Sequence, residues 1–450
     1  MLKKNLFVGI CLGMVIIFTS CGSTKSTVGT ESTNTQQISK QEKPNEIKDS
    51  AGPGFEGIYN DTVEVGIGFN SNGMYSGFKP IQIKDGKMIS DIFTMIGNSV
   101  SISDESKIQN MSGMAEKNNK LIFVTRNGSK KEITFAFDDP AFAVGYLDID
   151  GKKYDPGFSF FRYMRDFTEY TQFDTNIDNQ VIDLFKRYSW TVDYRINTFR
   201  EVLPTNLKHE AGEYPVKIYW AYNNELSKNI GLDYSSYLEK NVEVEIYRLR
   251  EPLPDFLKPR MDARGIILKY DGKIIGAYID AGRHDSFACS LDRKSLKDIT
   301  NKDWDNWVGD YIDYNSGLET KLSKMGPEEI IKQYYDAMDR QDEKTQFACM
   351  TRRNLCSYLA MNMDNNKLFN DGFKGAYVDG EQNVVSAKFV KVREVKGMDN
   401  PEGVIEYEAT VNFKFKKVIT SNSGVQPRFI LLKKESDKSG WRIQSEGTGP

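Results

Sequence analysis

Three blocks of patterned apolar residues, separated by polar or proline-bearing stretches, organise the chain. In the first, about Phe55 to Tyr170, VEVGIGF and KPIQIKD read as strands. DGKMISDIFTMIG sets Met88, Ile92, Met95 and Ile96 on one helical face. KLIFVTRNGSKKEITFAFDD predicts a hairpin turning at Asn127-Gly128, and AFAVGYLDIDGKKYDP repeats the device at Asp150-Gly151. FSFFRYMRDFTEY predicts a closing helix. In the second block, about Asn179 to Asp303, VIDLFKRYSW is helical and VKIYWAYNNELSKNIGL is a helix with Gly231 as its cap. NVEVEIYRL, ARGIILKYDG and GKIIGAYIDAG are strands, the last two joined at Asp271-Gly272. The intervening REPLPDFLKPRMD, with Pro252, Pro254 and Pro259, cannot continue a ladder and predicts a loop.

The third block runs from Gly326 to Pro450. Pro327 opens a helix whose stripe is Ile330, Ile331, Tyr334, Tyr335 and Met338. Two short helices, DEKTQFACM and RRNLCSYLAMNM, follow. Four strands then come from SAKFVKVREV, GVIEYEATVNFKFKKVI, QPRFILLKK and GWRIQS. The expectation is an α+β fold of several small α+β domains, at 55–170, 179–303 and 326–450, with a linker helix over 304–325.

The N-terminus carries a different pattern. MLKK precedes the apolar run LFVGICLGMVIIF, Leu6 to Phe18, too short for the roughly 20 residues of a membrane-spanning helix. Residues 1–20 therefore read as a signal peptide. FTSC resembles a bacterial lipobox, with Thr19 and Ser20 before Cys21 and Phe18 where leucine is usual. The resemblance implies lipidation of Cys21, and the two or three acyl chains on such a cysteine anchor a protein stably. Residues 21–50 lack aromatics and have only Val28, Ile38 and Ile47 as large aliphatics, the composition of a disordered tether. The expected location is the outer face of the cytoplasmic membrane.

Composition narrows the partners. Without the signal peptide, 58 basic residues face 63 acidic ones, a balance of −5 that argues against nucleic acid. Beyond Cys11 and Cys21 only Cys289, Cys349 and Cys356 remain. On one continuous helix, Cys349 and Cys356 would lie about 10.5 Å apart, beyond disulfide reach. Thr351 before RRNLCSYL reads as a cap and restart, so their pairing stays open.

Two further resemblances appear. FKRYSW, then WAYNNELSKNIGLDYSSYLEKNVEVEIYRL, then ILKYDGKIIGAYID look like an uncharacterised domain of lipoproteins from low-GC Gram-positive bacteria. That implies location more than activity. The third block, helices followed by a long antiparallel sheet, resembles the nuclear-transport-factor-2-like fold. This implies a cone of helices on a curved sheet, enclosing a pocket that some members use for catalysis and many for binding or assembly.

Candidate chemistry is sparse. DAGRHDSFACSL holds His284, Asp285, Ser286 and Cys289 in a chain with one other histidine, His209. On a strand His284 and Cys289 take opposite faces, and on a helix they sit roughly 140° apart, so neither geometry lets one activate the other. Arg283, His284 and Asp285 remain as a ligand-binding patch. HEAGE has Glu213 where a zinc-peptidase helix needs a second histidine, and Gly212 and Pro215 oppose a helix, so it reads as a loop. Asp174, Asn176 and Asp178 match calcium-loop spacing, but Asn179 and Phe185 replace its glycine and glutamate, so Asp178 is read as a helix cap. DIDG at Asp148 to Gly151 reads as a hairpin turn, not a metal site. Trp304, Trp307 and Tyr311 form a stripe that either docks the linker helix, the preferred reading, or stacks on sugars. Tyr334, Tyr335, Phe347 and Tyr358 are expected to line the third-block pocket, where no histidine is available for acid–base work.

These readings predict a membrane-anchored binding or interaction lipoprotein, with an unidentified small-molecule or protein partner and without catalytic residues, metal or cofactor. The alternative is an extracytoplasmic hydrolase or isomerase with its site in the C-terminal cone.

Overall fold

The computed structural model describes residues 55, 57–70, 80–104, 116–137, 145–169, 173–214, 216–254, 256–257, 263–281, 289–361, 377–378, 381–397, 400–418 and 422–449. Cys21, the tether and the Arg283-His284-Asp285 patch lie outside them. The architecture is α+β, with helices set on several antiparallel sheets. Contacts divide the chain between Thr175 and Asn176 into two compact units.

The first unit is built on a seven-stranded sheet. Its strands are β1 (Thr62–Gly68), β2 (Ile81–Ile83), β3 (Val100–Ser101), β4 (Glu116–Thr125), β5 (Lys130–Phe137), β6 (Gly145–Ile149) and β7 (Lys152–Asp155), in the order β2-β1-β4-β5-β6-β7-β3. The β6–β7 turn has positive φ at both Asp150 and Gly151, the backbone a tight two-residue hairpin demands. Helix α1 (Gly86–Gly97) is capped by Asp85, whose carboxylate accepts from the Met88 amide, and buries Met88, Ile92 and Ile96. Phe93 of α1 meets Phe55 and Phe123 edge-on or tilted, with centroids 5.6 and 4.9 Å away, at the centre of the core. Helix α2 (Phe158–Glu169) completes this unit.

In the second unit, α3 (Asn179–Arg187) begins at Asp178, which accepts from the Gln180 amide as the capping reading expects. A four-stranded antiparallel sheet follows, of β8 (Val192–Val202), β9 (Asn241–Leu249), β10 (Arg264–Tyr270) and β11 (Lys273–Asp280), in the order β11-β10-β9-β8. Helix α4 (Lys217–Lys228) packs on β11 and ends in a Schellman turn. Gly231 at positive φ donates to Lys228 O, and Leu232 donates to Ser227 O. Val181, Leu184 and Phe185 of α3 join Trp190, Ile267, Ile279 and Cys289 in the core.

The stretch 304–325 is not the single helix expected. It is broken into α6 (Trp304–Val308), a 3-10 turn (Gly309–Tyr311) and α7 (Gly317–Leu322), preceded by a short α5 (Leu296–Thr300). The cause is a backbone bridge: His209 N donates to Tyr311 O at 2.8 Å and Asp313 N donates to His209 O at 3.0 Å, which requires extended chain at Ile312. Ser316 then caps α7 by accepting from the Glu319 amide. The Trp304–Trp307–Tyr311 stripe docks as preferred: Trp307 is buried, with its ring 5.7 Å from Tyr222 of α4.

The C-terminal part holds α8 (Pro327–Asp339), α9 (Glu343–Ala348), α10 (Arg352–Met361) and a two-stranded ribbon of β12 (Tyr377–Val378) and β13 (Glu381–Gln382). A meander of β14 (Val384–Glu394), β15 (Val404–Phe415), β16 (Gly424–Lys434) and β17 (Trp441–Gly447) follows, paired in sequence order. Helix α8 lies on β14 and β17 with Ile330, Ile331, Tyr334, Tyr335 and Met338 buried. Cys289, Cys349 and Cys356 are all free and buried, so Cys349 and Cys356 do not pair. Among the described residues no helix is long and apolar enough to cross a membrane.

Candidate functional site

The C-terminal sheet and α8 bring together one carboxylate, two phenols and one guanidinium. Tyr334 and Tyr335 are consecutive on α8, about 100° apart around its axis, yet both hydroxyls reach Glu446 of β17. Tyr335 donates to Oε1 at 2.9 Å and Tyr334 to Oε2 at 3.1 Å. The tyrosine rings meet edge to face at 5.1 Å, and the Tyr335 ring lies 6.1 Å from Phe413 of β15.

Arg428 reaches the same carboxylate from the neighbouring β16, with Nε 3.4 Å from Oε1. Its guanidinium sits 4.6 Å over the Phe413 ring, while Nη1 donates to Pro427 O and Nη2 to Gln426 Oε1, each at 2.9 Å. Burial alternates along β16, so Arg428, Ile430 and Leu432 share the inward face with Tyr407, Ala409, Val411 and Phe413 of β15.

Glu446 is the one carboxylate here whose acid is raised. Burial pushes it above the ordinary value, and Arg428 and the two phenols only partly offset that. Yet 23% of its side chain is exposed. Part of the side chain therefore reaches the surface while its carboxylate is held among Tyr334, Tyr335 and Arg428. Burial and the same negative charge raise the phenols of Tyr334, Tyr335 and Tyr358.

The arrangement draws together three of the four residues selected from the third block: Tyr334, Tyr335 and Tyr358. Phe347 is placed otherwise, its ring 5.3 Å from Tyr214. Glu446 and Arg428 were not selected, since nothing local distinguishes them from the other acids and bases of the block. The only usable signal was the Tyr334-Tyr335 pair itself, two polar tips on a buried stripe that need partners.

Among the described residues the site offers hydrogen bonding, charge and one carboxyl, Glu446, whose acid is raised. A carboxylate accepts about four hydrogen bonds; Tyr335 and Tyr334 each donate one to Glu446, and Arg428 adds an ion pair. No thiol of the chain suits nucleophilic work among the described residues: burial pushes those of Cys289 and Cys349 up to about 12 and that of Cys356 well above its ordinary value. Cys289 is a core residue whose backbone bridges Ile279.

His209 stands in a loop, as HEAGE predicts, but is 1% exposed, and neither ring nitrogen has a hydrogen-bond partner. Asp280 ends β11 in a buried two-pronged pair with Arg264, at 2.8 and 3.0 Å. Arg264 also donates to Ala360 O of α10 at 2.9 Å, so this pair ties the central sheet to the C-terminal helices.

Comparison with known proteins adds the following. No curated protein matches the chain. A cystatin-like protein from Ruminococcus gnavus ATCC 29149, solved by crystallography at 2.10 Å, is 13% identical over 47% of this chain, with a TM-score of 0.19. The chain spans 59% of that solved chain. Family models match in two places, one from within α3 to the end of β11, the other from the start of α8 through β17 and hence across the whole Glu446 arrangement. Residues 184–279 match the model of one domain of unknown function, DUF4830, and residues 328–447 that of another, DUF4829.

Proposed function

We propose that this protein is a lipoprotein, anchored through Cys21 on the outer face of the cytoplasmic membrane, that binds a partner or small ligand with its C-terminal domain. In this reading residues 326–450 form a nuclear-transport-factor-2-like cone, with Glu446 in its binding floor. One observation carries the reading: Glu446 is fixed by Tyr334, Tyr335 and Arg428 and is still reached by solvent. A rigid, partly desolvated polar group flanked by aromatic rings is how small-ligand sites fix orientation. The tether, with an r.m.s. reach of roughly 30 Å as a flexible coil, holds that site off the membrane surface.

The raised acid of Glu446 favours a second reading, a hydrolase or isomerase using Glu446 as its acid or base. It ranks second because both carboxylate oxygens are already engaged and no nucleophile accompanies them among the described residues. A thermal-shift panel of envelope glycans, peptides, lipids and amines against the full chain and its Glu446→Gln variant tests both. A ligand at 100 times its dissociation constant adds about 2.7 kcal/mol of stability. Stabilisation of the native chain that the variant loses supports the binding floor, and turnover of the stabilising compound promotes the second reading. Ligands that act equally on both chains sink the site.

A further inference from the structure

We infer that the end of the C-terminal sheet carrying the β15–β16 turn docks on an anionic lipid bilayer. The inference goes beyond the reading above: it uses none of the residues that hold Glu446 and does not require the Cys21 anchor. It starts from an asymmetry of charge. Residues 383–393 and 409–428 together contain five lysines, two arginines and not one aspartate or glutamate, in a chain whose balance is −3. Arg428 is buried against Glu446 and Arg393 pairs with Glu408, so the lysines are what this end presents.

Strand pairing gathers them on one face. Tyr407, Ala409, Val411 and Phe413 of β15 are buried, so Thr410, Asn412 and Lys414 take the opposite side. Cross-strand rows on that side read Ser386–Lys414, Lys388–Asn412–Val425 and Lys391–Thr410–Pro427. The three lysines and Pro427 in these rows are exposed, and Val425 is 64% exposed. The register shift between Phe389 and Lys391 adds Val390, 54% exposed, beside Lys391. Buried Asn383 clips the chain leaving β15: its side chain accepts from Lys417 N and donates to Lys417 O, each at 2.9 Å. Lys417 and Val418, both exposed, are thereby held at the same end of the sheet.

Charge and apolarity together name the partner. Lysines on an edge strand such as β14 deter stray pairing, but β15 is an interior strand, so Lys414 and Lys417 need another reason. Among the described residues, Lys388, Lys391, Lys414 and Lys417 have no ion pair. Four such cations attract a surface of fixed negative charge. Val390, Val418 and Val425 stand exposed among them. Apolar side chains gain nothing from a hydrated polyanion, whereas they lose water in the interfacial layer of a bilayer. The combination fits anionic headgroups above apolar chains.

The test uses the full chain with Cys21→Ala, so that no acyl chain on that residue holds it, and vesicles of phosphatidylglycerol or phosphatidylcholine. The apolar run Leu6 to Phe18 acts equally in every variant, so differences between variants report the sheet end alone. Replacing Lys388, Lys391, Lys414 and Lys417 by Gln weakens binding to phosphatidylglycerol at least about tenfold, since each lysine near an anionic bilayer is worth roughly fivefold. Binding to phosphatidylcholine stays unchanged. Replacing Val390, Val418 and Val425 by Ser instead weakens binding to phosphatidylglycerol at least about threefold. Should the four-lysine variant fail to fold, Lys414→Gln with Lys417→Gln carries the same prediction at half the change.

Equal affinity of the lysine and glutamine chains for phosphatidylglycerol overturns the inference. So does a loss that the valine variant does not share, for the surface then takes any polyanion by charge alone, inorganic polyphosphate included. Every chain compared carries Cys21→Ala and an intact Glu446, so neither result bears on the anchor or on the Glu446 site.

Discussion

Nη1 of Arg352 lies 2.9 Å from Oε2 of Glu435, with both side chains buried. Nη2 of the same guanidinium pairs with Glu319, whose other oxygen lies 3.1 Å from Nη2 of Arg442, an ion pair without good hydrogen-bond alignment. Two arginines and two glutamates thus balance in a buried cluster that joins α7, α10, β17 and the turn before β17. The cluster fixes the 304–325 segment to the domain carrying the candidate site.

Removing one member leaves its partners charged and buried. Burial opposes ionisation of Glu319, but Arg352 and Arg442 outweigh it and lower its acid below the ordinary value. Glu319→Gln is expected to cost about 3–5 kcal/mol, the range for breaking a buried pair. It is read as a fall in the urea midpoint of the unit from Asn176 onward. A loss below about 1 kcal/mol would mean that the cluster is solvated like a surface pair.

His209 sets a pH dependence of opposite origin. Burial, then the charges of Arg352 and Lys217, hold its imidazole well below its ordinary value of 6.5. Its nearest opposite charge, Glu213 Oε2 at 3.8 Å, is shared with Lys217. Between that lowered value and 6.5 the unfolded chain holds a proton that the folded chain lacks. Stability therefore rises with pH through this window and falls on acidification, by up to about 1.4 kcal/mol per pH unit. Subtracting the stability profile of a His209→Phe variant from that of the native chain isolates the slope. Parallel profiles between pH 5 and 6.5 would show that His209 is not buried in its neutral form.

Local order was legible where period and turn chemistry are local. Asp150-Gly151 and Asp271-Gly272 announce their hairpins because both residues must take positive φ, and both do. Strand β8 escaped because irregularities between Val192 and Tyr194 and between Arg195 and Asn197 break its alternation, as an inserted residue does. The broken 304–325 segment was illegible because its cause, the bridge to His209, comes from a hundred residues upstream. Glu446 was hidden for the same reason. It lies 111 residues from Tyr335, and only pairing across the sheet makes it differ from other acids.

Gly265 tests how tightly α3 sits on the central sheet. A Cβ at that position would fall 2.3 Å from Cζ of Phe185, a contact that requires the ring or strand to move. Gly265→Ala is expected to cost about 1–3 kcal/mol, as overpacking does. Gly317→Ala, at the first residue of α7 in the same unit, meets nothing within 4 Å and has ordinary backbone angles. That change should be neutral or stabilising by up to about 1 kcal/mol, through a less flexible unfolded chain. Equal midpoints for the two variants in urea would show that the Phe185 ring yields freely.

The anchor is tested at one atom, the sulfur of Cys21. A single acyl chain holds a protein to a bilayer only marginally and reversibly, whereas two or more hold it stably. Nothing between Gly22 and Ser50 supplies a second means of attachment, for that stretch has no aromatic residue and only three large aliphatics. Cys21→Ala is therefore expected to move the protein from the membrane fraction to the soluble fraction and to abolish incorporation of labelled fatty acid. Two outcomes have separate meanings. If Cys21→Ala stays on the membrane and is unlabelled, the apolar run Leu6 to Phe18 is retained as an anchor. If Cys21→Ala is still labelled, acylation falls on another cysteine, and Cys11 is the candidate because Cys289, Cys349 and Cys356 are buried.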